Sequence, residues 1–459
     1  MFTVKDILIS TEGTMLSGEE KDILVGVSTD TRRLKPGELF VAIKGDRFDG
    51  HNFILDAVSK GAGGALVQYG CITNSNFDMR GVSFISVPDS IKALGDIARF
   101  HKARFSIPLI GITGSNGKTT TKEMTSAILA RKLNVLKNFG TENNHIGVPL
   151  TLMRLKPEHK LIVLEMGANH LGEIRRLSEI AMPSMAVITN IGPSHLDHLK
   201  DLETVLKAKS EILESLSGEG AQVVINGDDE TLSGLKTDLK VVRFGLNKEF
   251  DFYADKVNLE PDGINFRLNG KWDIEIGLVG RHNIYNALAA IAASWGFGVS
   301  IEDVKDALKE FRVPNMRMEV KRLRDIRIIN DTYNSNPLSM RQAIESLKDM
   351  TTKGRKILVA GDMLELGTLS GRFHHLVGRQ AAESGIDLIV AVGKLAEHIA
   401  KGAQEAGMSD KKIKMCNLTK EACAAVLQLI KKGDTILVKG SRAMKMEQIV
   451  TELEAQFKA

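Results

Sequence analysis

Residues 109–124 read LIGITGSNGKTTTKEM, an apolar run that gives way to a glycine-bounded turn and then to threonines. Leu109 to Thr113 is expected to form a short buried strand, Gly114 to Gly117 a tight turn, and Lys118 the start of a helix. This order points several backbone N–H groups and the positive end of a helix dipole at one spot, which favours an anion. Lys118 then reaches the outer phosphates of a nucleotide, and the Thr119 hydroxyl meets Mg²⁺. The spacing is a variant of the P-loop: Ile112 stands where the first glycine belongs, and Gly111 comes one place early. A Gly-Lys-Thr that merely caps a helix is the plain alternative, but here the strand, glycines, lysine and threonine occur together.

Working outward, 459 residues exceed one ordinary core, and the length suggests about three domains. With 43% hydrophobic and 26% charged residues and no low-complexity tract, a globular fold is expected. A net charge of +4 without any block of like charge argues against a nucleic-acid binder, and it suits an anionic small molecule. Cys71, Cys416 and Cys423 have neither metal-ligand nor redox spacing and fit a reducing cytoplasm. The opening MFTVKDILIS lacks the plan of a signal peptide, and no apolar run reaches membrane-spanning length, so a cytoplasmic protein without membrane insertion is expected.

Three segments follow one another. The first, to about Phe105, mixes short strands such as GELFVAI with a helix near Asn52 to Lys60 that stops at Gly61; its polar clusters STDTRR and KGDRFDGH read most simply as turns. From Ile107 to about Val313, LIVLEM, MAVITNI and AQVVIN alternate with helical stretches, as parallel strands buried on both faces do. Two of these strands run out into polar residues, Glu165 and His195. Ligands of open α/β sheets gather at such carboxyl ends, so these strands and the loop are expected to surround one nucleotide. Glu165 reads as a magnesium ligand or as a solvated strand end. His195 competes with the other polar residues of HLDH, and Lys209 in KAKSEIL looks like an ordinary solvated helix lysine. From about Pro314, IRIINDTY, KILVAGDM, DLIVAVG and DTILVKGS repeat the alternation without a phosphate loop, predicting a second doubly wound sheet that covers the site.

The segments GITGSNGKTTTKEM, TENNHIGVPLTL, LEMGANHLGEI, ITNIGPSHLDH, AKSEI, GRHNIYNALAA, NDTYNSNP, GDMLELG and LVKGSRAMKME occur in that order, preceded by STDTR, GELFVAIKG and DGH. Together they resemble the bacterial cell-wall Mur ligases over nearly the whole chain. NDTYNSNP, GDMLELG and LVKGSRAMKME resemble the branch that joins D-alanyl-D-alanine to UDP-N-acetylmuramoyl-tripeptide through an acyl phosphate. The resemblance implies an α/β protein of three domains: a smaller mixed α/β uridine-binding domain (1–105), a central P-loop-type parallel-sheet ATPase (106–313) and a Rossmann-like lid (314–459). A monomer is expected.

By position, the resemblance places Ser28, Asp30, Thr31 and Arg32, with Lys44, Arg47 and Asp49, at the uridine end. Thr141, Asn143 and Asn144 meet the sugar-peptide. Thr113, Gly114, Ser115, Asn116, Gly117, Lys118, Thr119 and Thr120 hold ATP, together with Asn283 and the lid residues Arg317 and Asp331. Thr119, Glu165, His195 and a carbamylated Lys209 surround two Mg²⁺ ions, and Lys118, Glu165, His195 and Lys209 carry the chemistry. Tyr333, Asn334 and Asn336 serve the adenine and the dipeptide. FGTENNH departs from relatives that carry a Gly-Asn pair before the double Asn, which weakens the contacts assigned to Thr141 and Glu142. Folylpolyglutamate synthase shares the loop, and a nucleotide-driven switch needs only the loop; both stand as alternatives.

Overall fold

The computed structural model describes all residues except 46–47, 72–80, 219 and 458–459. Arg47, assigned above to the uridine end, lies outside the described residues. Three main sheets organise the chain, drawn from residues 14–87, 109–276 and 319–439.

The central sheet has nine strands, in the order 272–276, 263–268, 252–260, 240–245, 222–226, 185–188, 109–113, 161–165 and 135–137. From 135–137 to 252–260 all neighbours run parallel. Alternation along each strand divides it between two cores. Ile110, Ile112 and Val163 face the helices Lys118–Leu129 and His282–Ser294, whereas Leu109, Ile162 and Leu164 face the helix Glu173–Ala181. The strand Leu109–Thr113 lies between 161–165 and 185–188, so the crossovers diverge on either side of it. That divergence opens a crevice at the carboxyl ends, immediately beside the glycine loop.

The sheet also extends where the sequence reading expected only strand–helix alternation. Phe252–Glu260, Gly263–Leu268 and Trp272–Ile276 form an antiparallel meander. The signal was present: Ile264, Phe266 and Leu268 alternate with half-exposed residues, and Asn269-Gly270 both have positive φ (49° and 67°), the tight hairpin turn that Asn-Gly favours.

The leading sheet runs in the order 14–17, 83–87, 64–68, 39–41 and 27–28, mixed because only 14–17 is antiparallel. The expected helix before Gly61 appears as Ile54–Ser59, entered through a 3₁₀ turn at Gly50–Phe53. The helix Ser90–Ala103 ties this unit to the central one, with Asp96 2.6 Å from Arg176.

The last sheet runs in the order 319–323, 326–331, 435–439, 356–361, 388–392 and 413–416, parallel except for its first strand. Asp331 and Lys439 end adjacent strands, and their side chains face the glycine loop across a cleft of about 390 Å³. Among the described residues no helix is long and apolar enough to cross a membrane.

Candidate functional site

The loop is held open by glycines that nothing else can replace. A Cβ on Gly114 (φ +137°) would lie 2.1 Å from Thr189 Oγ1, and one on Gly117 (φ +79°) 2.3 Å from Asn286 Oδ1. The chain beyond strand 185–188 pins the loop. Asn190 accepts from the backbone N–H of Ser115 and, through its side chain, of Asn116 (2.9 Å each); Thr189 donates to the Asn116 carbonyl (2.6 Å). Lys118 opens the helix and folds back to donate to the carbonyls of Gly114 (2.8 Å) and Ser115 (3.1 Å). Burial holds its ammonium below the usual lysine range; Glu165 opposes that shift and Arg317 adds to it.

Glu165 ends its strand only 1% exposed. Its carboxylate accepts from Thr119 Oγ1 and from Asn143 Nδ2, both at 2.7 Å. Its two oxygens are hard ligands of the kind that hold a cation.

Sequence reasoning passed over the residue that fixes it, Asn138, which is wholly buried just past the edge strand 135–137. The Asn138 side chain accepts from the Glu165 N–H (3.0 Å) and donates to the Glu165 carbonyl (3.0 Å) and the Glu142 carbonyl (2.9 Å). It thereby extends the sheet ladder by one side chain. The wholly buried Lys122 donates in turn to the Asn138 carbonyl (2.7 Å). A polar residue directly after the strand VLK was the available signal.

His195 faces the cleft in a left-handed backbone conformation (φ +53°), and its Nδ1 lies 2.5 Å from Glu365 of the lid. Burial lowers its pKa, Glu365 counters, and the positive charges of Lys118 and Lys209 lower it further. Its competitor His198 packs instead on His170, with ring centroids 4.2 Å apart.

Lys209 is not the solvated lysine that composition suggests. It is 1% exposed and donates to the Ala168 carbonyl (3.1 Å), behind the wall of the cleft. Burial, then Lys118, pull its pKa down to about 7, against Glu173 and Glu211.

From the lid, Arg317 lies over the Tyr333 ring (3.8 Å to the centroid), and Asp331 pairs with buried Lys439 (2.6 Å). Asn336 caps the helix Pro337–Asp349 and exchanges two side-chain bonds with Asn116 (2.9 and 3.2 Å) across the cleft. On the central side, Asn283 holds the Val279 carbonyl (2.8 Å) and receives Asn286 (2.9 Å). His282 also faces the cleft; its Nδ1 is buried without a hydrogen-bond partner, and burial lowers its pKa to about 4.

One cleft therefore brings together Ser115 to Thr120, Asn143, Asn144, Glu165, His195, Asn283, Arg317, Asp331, Tyr333, Asn334 and Asn336. Thr113, Gly114 and Lys209 lie outside its lining, and Thr141 is solvent-exposed away from it. The described residues assigned to the uridine end stay within the leading sheet and its loops, Ser28 ending the strand 27–28. Ser28 bonds the Asp30 backbone, and Arg32 holds the Asp30 carboxyl down to about 2. Thr31 is buried, the backbones of Lys44 and Asp49 meet in an isolated antiparallel β-bridge, and Asp49 accepts from the His51 N–H. Their local bonds are those of turns. Glu365, His282, Lys439 and Asn138 were not singled out from sequence; Lys439 ends a strand as Glu165 does, so the same argument would have found it.

Family models for the Mur ligase family catalytic domain, the Mur ligase middle domain and the Mur ligase glutamate ligase domain match residues 24–102, 112–294 and 316–442 in turn. The chain is 38% identical over 454 residues to the UDP-N-acetylmuramoyl-tripeptide–D-alanyl-D-alanine ligase of Bacillus subtilis, covering 98% of each. MurF from Acinetobacter baumannii superposes with a TM-score of 0.89 at 32% identity, over 99% of each chain. MurF from Thermotoga maritima, solved with ADP, superposes with a TM-score of 0.82 at 28% identity, over 94% of this chain and 98% of its own.

Proposed function

Because this chain belongs to the Mur ligase family, we infer that it is the ATP-dependent ligase that joins D-alanyl-D-alanine to UDP-N-acetylmuramoyl-tripeptide, a step of peptidoglycan precursor synthesis. The tripeptide's terminal carboxylate takes the γ-phosphoryl group of ATP and becomes an acyl phosphate. The dipeptide's amine then bonds to that carbonyl carbon, losing a proton as phosphate leaves. No protein nucleophile is needed. The protein's work is to align anions and neutralise developing charge.

The observation that carries this reading is that the glycine loop, Lys118 and the buried Glu165 share one cleft with Arg317, Asp331 and Lys439 of a second sheet. The loop N–H groups and Lys118 fit the phosphates. His282 Nδ1, buried without a partner, and Asn283 fit the base. Magnesium favours one or two carboxylates plus phosphate and water, which suits the oxygen donors of Glu165 and Thr119, with His195 nearby. When bound, it neutralises phosphate charge. For a second ion we assign Lys209. Its amine is buried, and a pKa near 7 leaves it neutral often enough to react with CO₂ and present carbamate oxygens. The leading unit (1–105) takes the uridine end through Ser28, Asp30, Thr31, Arg32, Lys44 and Asp49, and Asn143 and Asn144 take the sugar-peptide. The lid (314–459) closes over the central unit (106–313), excluding water that would hydrolyse the acyl phosphate. We place the enzyme in the cytoplasm as a monomer.

Phosphate release from ATP tests the reading. A ligase requires both the UDP-tripeptide and the dipeptide, a folylpolyglutamate synthase responds to neither, and a switch turns over without them. Turnover independent of either substrate would overturn the assignment.

A further inference from the structure

A second cavity, of about 320 Å³, opens off the main cleft and shares His195, Asn334, Ser335 and Asn336 with it. Two of its other walls carry opposite charge. Glu365 stands beside His195, at the junction with the main cleft; Arg442 stands on the segment after strand 435–439. Both side chains are about half-exposed, at 52% and 53%. Arg442 spends one nitrogen on Glu447 (2.9 Å), which leaves most of its five N–H donors free in geometry to grip a carboxylate. Leu364 and Leu366 add apolar lining.

Ser335 makes this more than a pair of surface charges. It is 4% exposed, it lines both cavities, and its Oγ has no hydrogen-bond partner. A buried hydroxyl left unpaired is a standing cost, and one explanation for its retention is that a ligand satisfies it. Its neighbours on either side are both committed: Asn334 accepts from the Ser335 N–H, and Asn336 caps a helix.

We propose that this cavity is the acceptor pocket and reads a zwitterionic dipeptide by its two ends: Glu365 receives the ammonium, the Ser335 hydroxyl the peptide amide, and Arg442 the terminal carboxylate. The proposal rests on the ligase reading above and gives it a direction. The amino end lies at the junction beside His195, where the acyl group is to be met, and the carboxyl end points away from the phosphates.

The test compares D-alanyl-D-alanine with its C-terminal amide, in wild type, Arg442→Ala, Arg442→Lys and Ser335→Ala, by phosphate release. Wild type should use the acid about 10- to 100-fold better than the amide, the range of one charge-assisted hydrogen bond. Arg442→Ala should raise the KM for the acid by a similar factor, leave the KM for ATP within about twofold, and use acid and amide alike; Arg442→Lys should restore part of the preference. Ser335→Ala should raise the dipeptide KM while its melting temperature stays level or rises, a split that a merely structural hydroxyl would not give. An active wild type whose acid-to-amide ratio is unchanged in Arg442→Ala overturns the pocket alone. A wild type that releases no phosphate with both substrates overturns the ligase reading beneath it.

Discussion

Replacing Asn138 by alanine removes a side chain that does not itself line the cleft and should nevertheless weaken magnesium binding. Its amide holds the main chain of Glu165 on both sides and the Glu142 carbonyl, three bonds of 2.9 to 3.0 Å in a site with no solvent exposure. Truncation leaves one N–H and two carbonyls around a small void. A buried polar group left unsatisfied costs about 1–3 kcal/mol; with the N–H counted fully and the carbonyls partly relieved by relaxation, the loss is about 2–5 kcal/mol. The chain has several cores, so this should appear as an earlier transition of the central unit rather than a uniform shift. The functional effect follows from the same bonds. Freed from Asn138, Glu165 and the turn carrying Asn143 lose their fixed relation, and outer partners of metal ligands typically contribute about 10- to 100-fold in metal affinity. Phosphate release titrated with MgCl₂ at saturating substrates should therefore show a half-saturation raised by about tenfold or more. Because the glycine loop is pinned by Asn190 and Thr189 instead, the KM for ATP should move much less. A folded variant with wild-type magnesium dependence would refute the reasoning.

Lys118→Ala should lower kcat by about 100-fold or more while leaving the melting temperature close to wild type, because its two bonds go to loop carbonyls at the cleft wall. Ligation within a few-fold of wild type would remove the loop from the ATP site. Lys209→Ala should lose activity and regain part of it with a small carboxylate in the buffer. With the Lys209 pKa at about 7 in the folded chain, the neutral amine rises from about a tenth at pH 6 to about nine-tenths at pH 8, so a ¹³C-bicarbonate carbamate signal should grow over that interval. In the unmodified chain the unfolded lysine keeps its proton to about pH 10.4, so between about 7 and 10 the unfolded state binds more protons and stability should climb with pH. A flat profile would place the amine elsewhere. Asn336→Ala removes a helix cap, worth about 1 kcal/mol, together with both bonds to Asn116, and scattering should report a larger radius of gyration with nucleotide analogue bound. An unchanged radius would mean that other contacts hold the cleft shut.

The sequence was most informative where local rules dominate. The strand, the two obligatory glycines and the helix start at Lys118 are written in sixteen consecutive residues, and the alternating apolar runs place the parallel strands of both large sheets. Glu165 and His195 were found because strand ends mark ligand sites. The meander at 252–276 was missed although its period of two and its Asn-Gly turn were visible, because its neighbours set an expectation of strand–helix alternation. Lys209 illustrates a harder case. A lysine in a helix is solvated by default, and only the tertiary packing that buries it changes its chemistry. Asn138 and Glu365 act through partners 27 and 170 residues away, separations that no periodicity encodes.

The groups of the cleft are divided between two sheets. The loop and Glu165 belong to one rigid scaffold, Arg317, Asp331 and Lys439 to another, and the polar bridges described between the scaffolds at the cleft are few: Asn116 with Asn336, His195 with Glu365, and the Asp197 N–H to the Glu365 carbonyl (3.3 Å). Apolar support comes from Leu196 and Val279, which are buried among lid residues such as Met340 and Ile344. Two further ion pairs join the scaffolds away from the cleft, Arg281 with Asp349 (3.5 Å) and Arg322 with Asp262; we propose that so few polar links let the lid open, inter-domain motion being the default for such an interface. With the lid away, Lys118 and Glu165 keep their geometry but lose the Arg317 charge and the wall that excludes water, so nucleotide can enter without being primed for transfer. Closure brings Glu365 to His195, and with it the pocket that we assign to the acceptor. On this reading the contact that completes the charge-neutralising set also assembles the pocket in which the acceptor meets the acyl group.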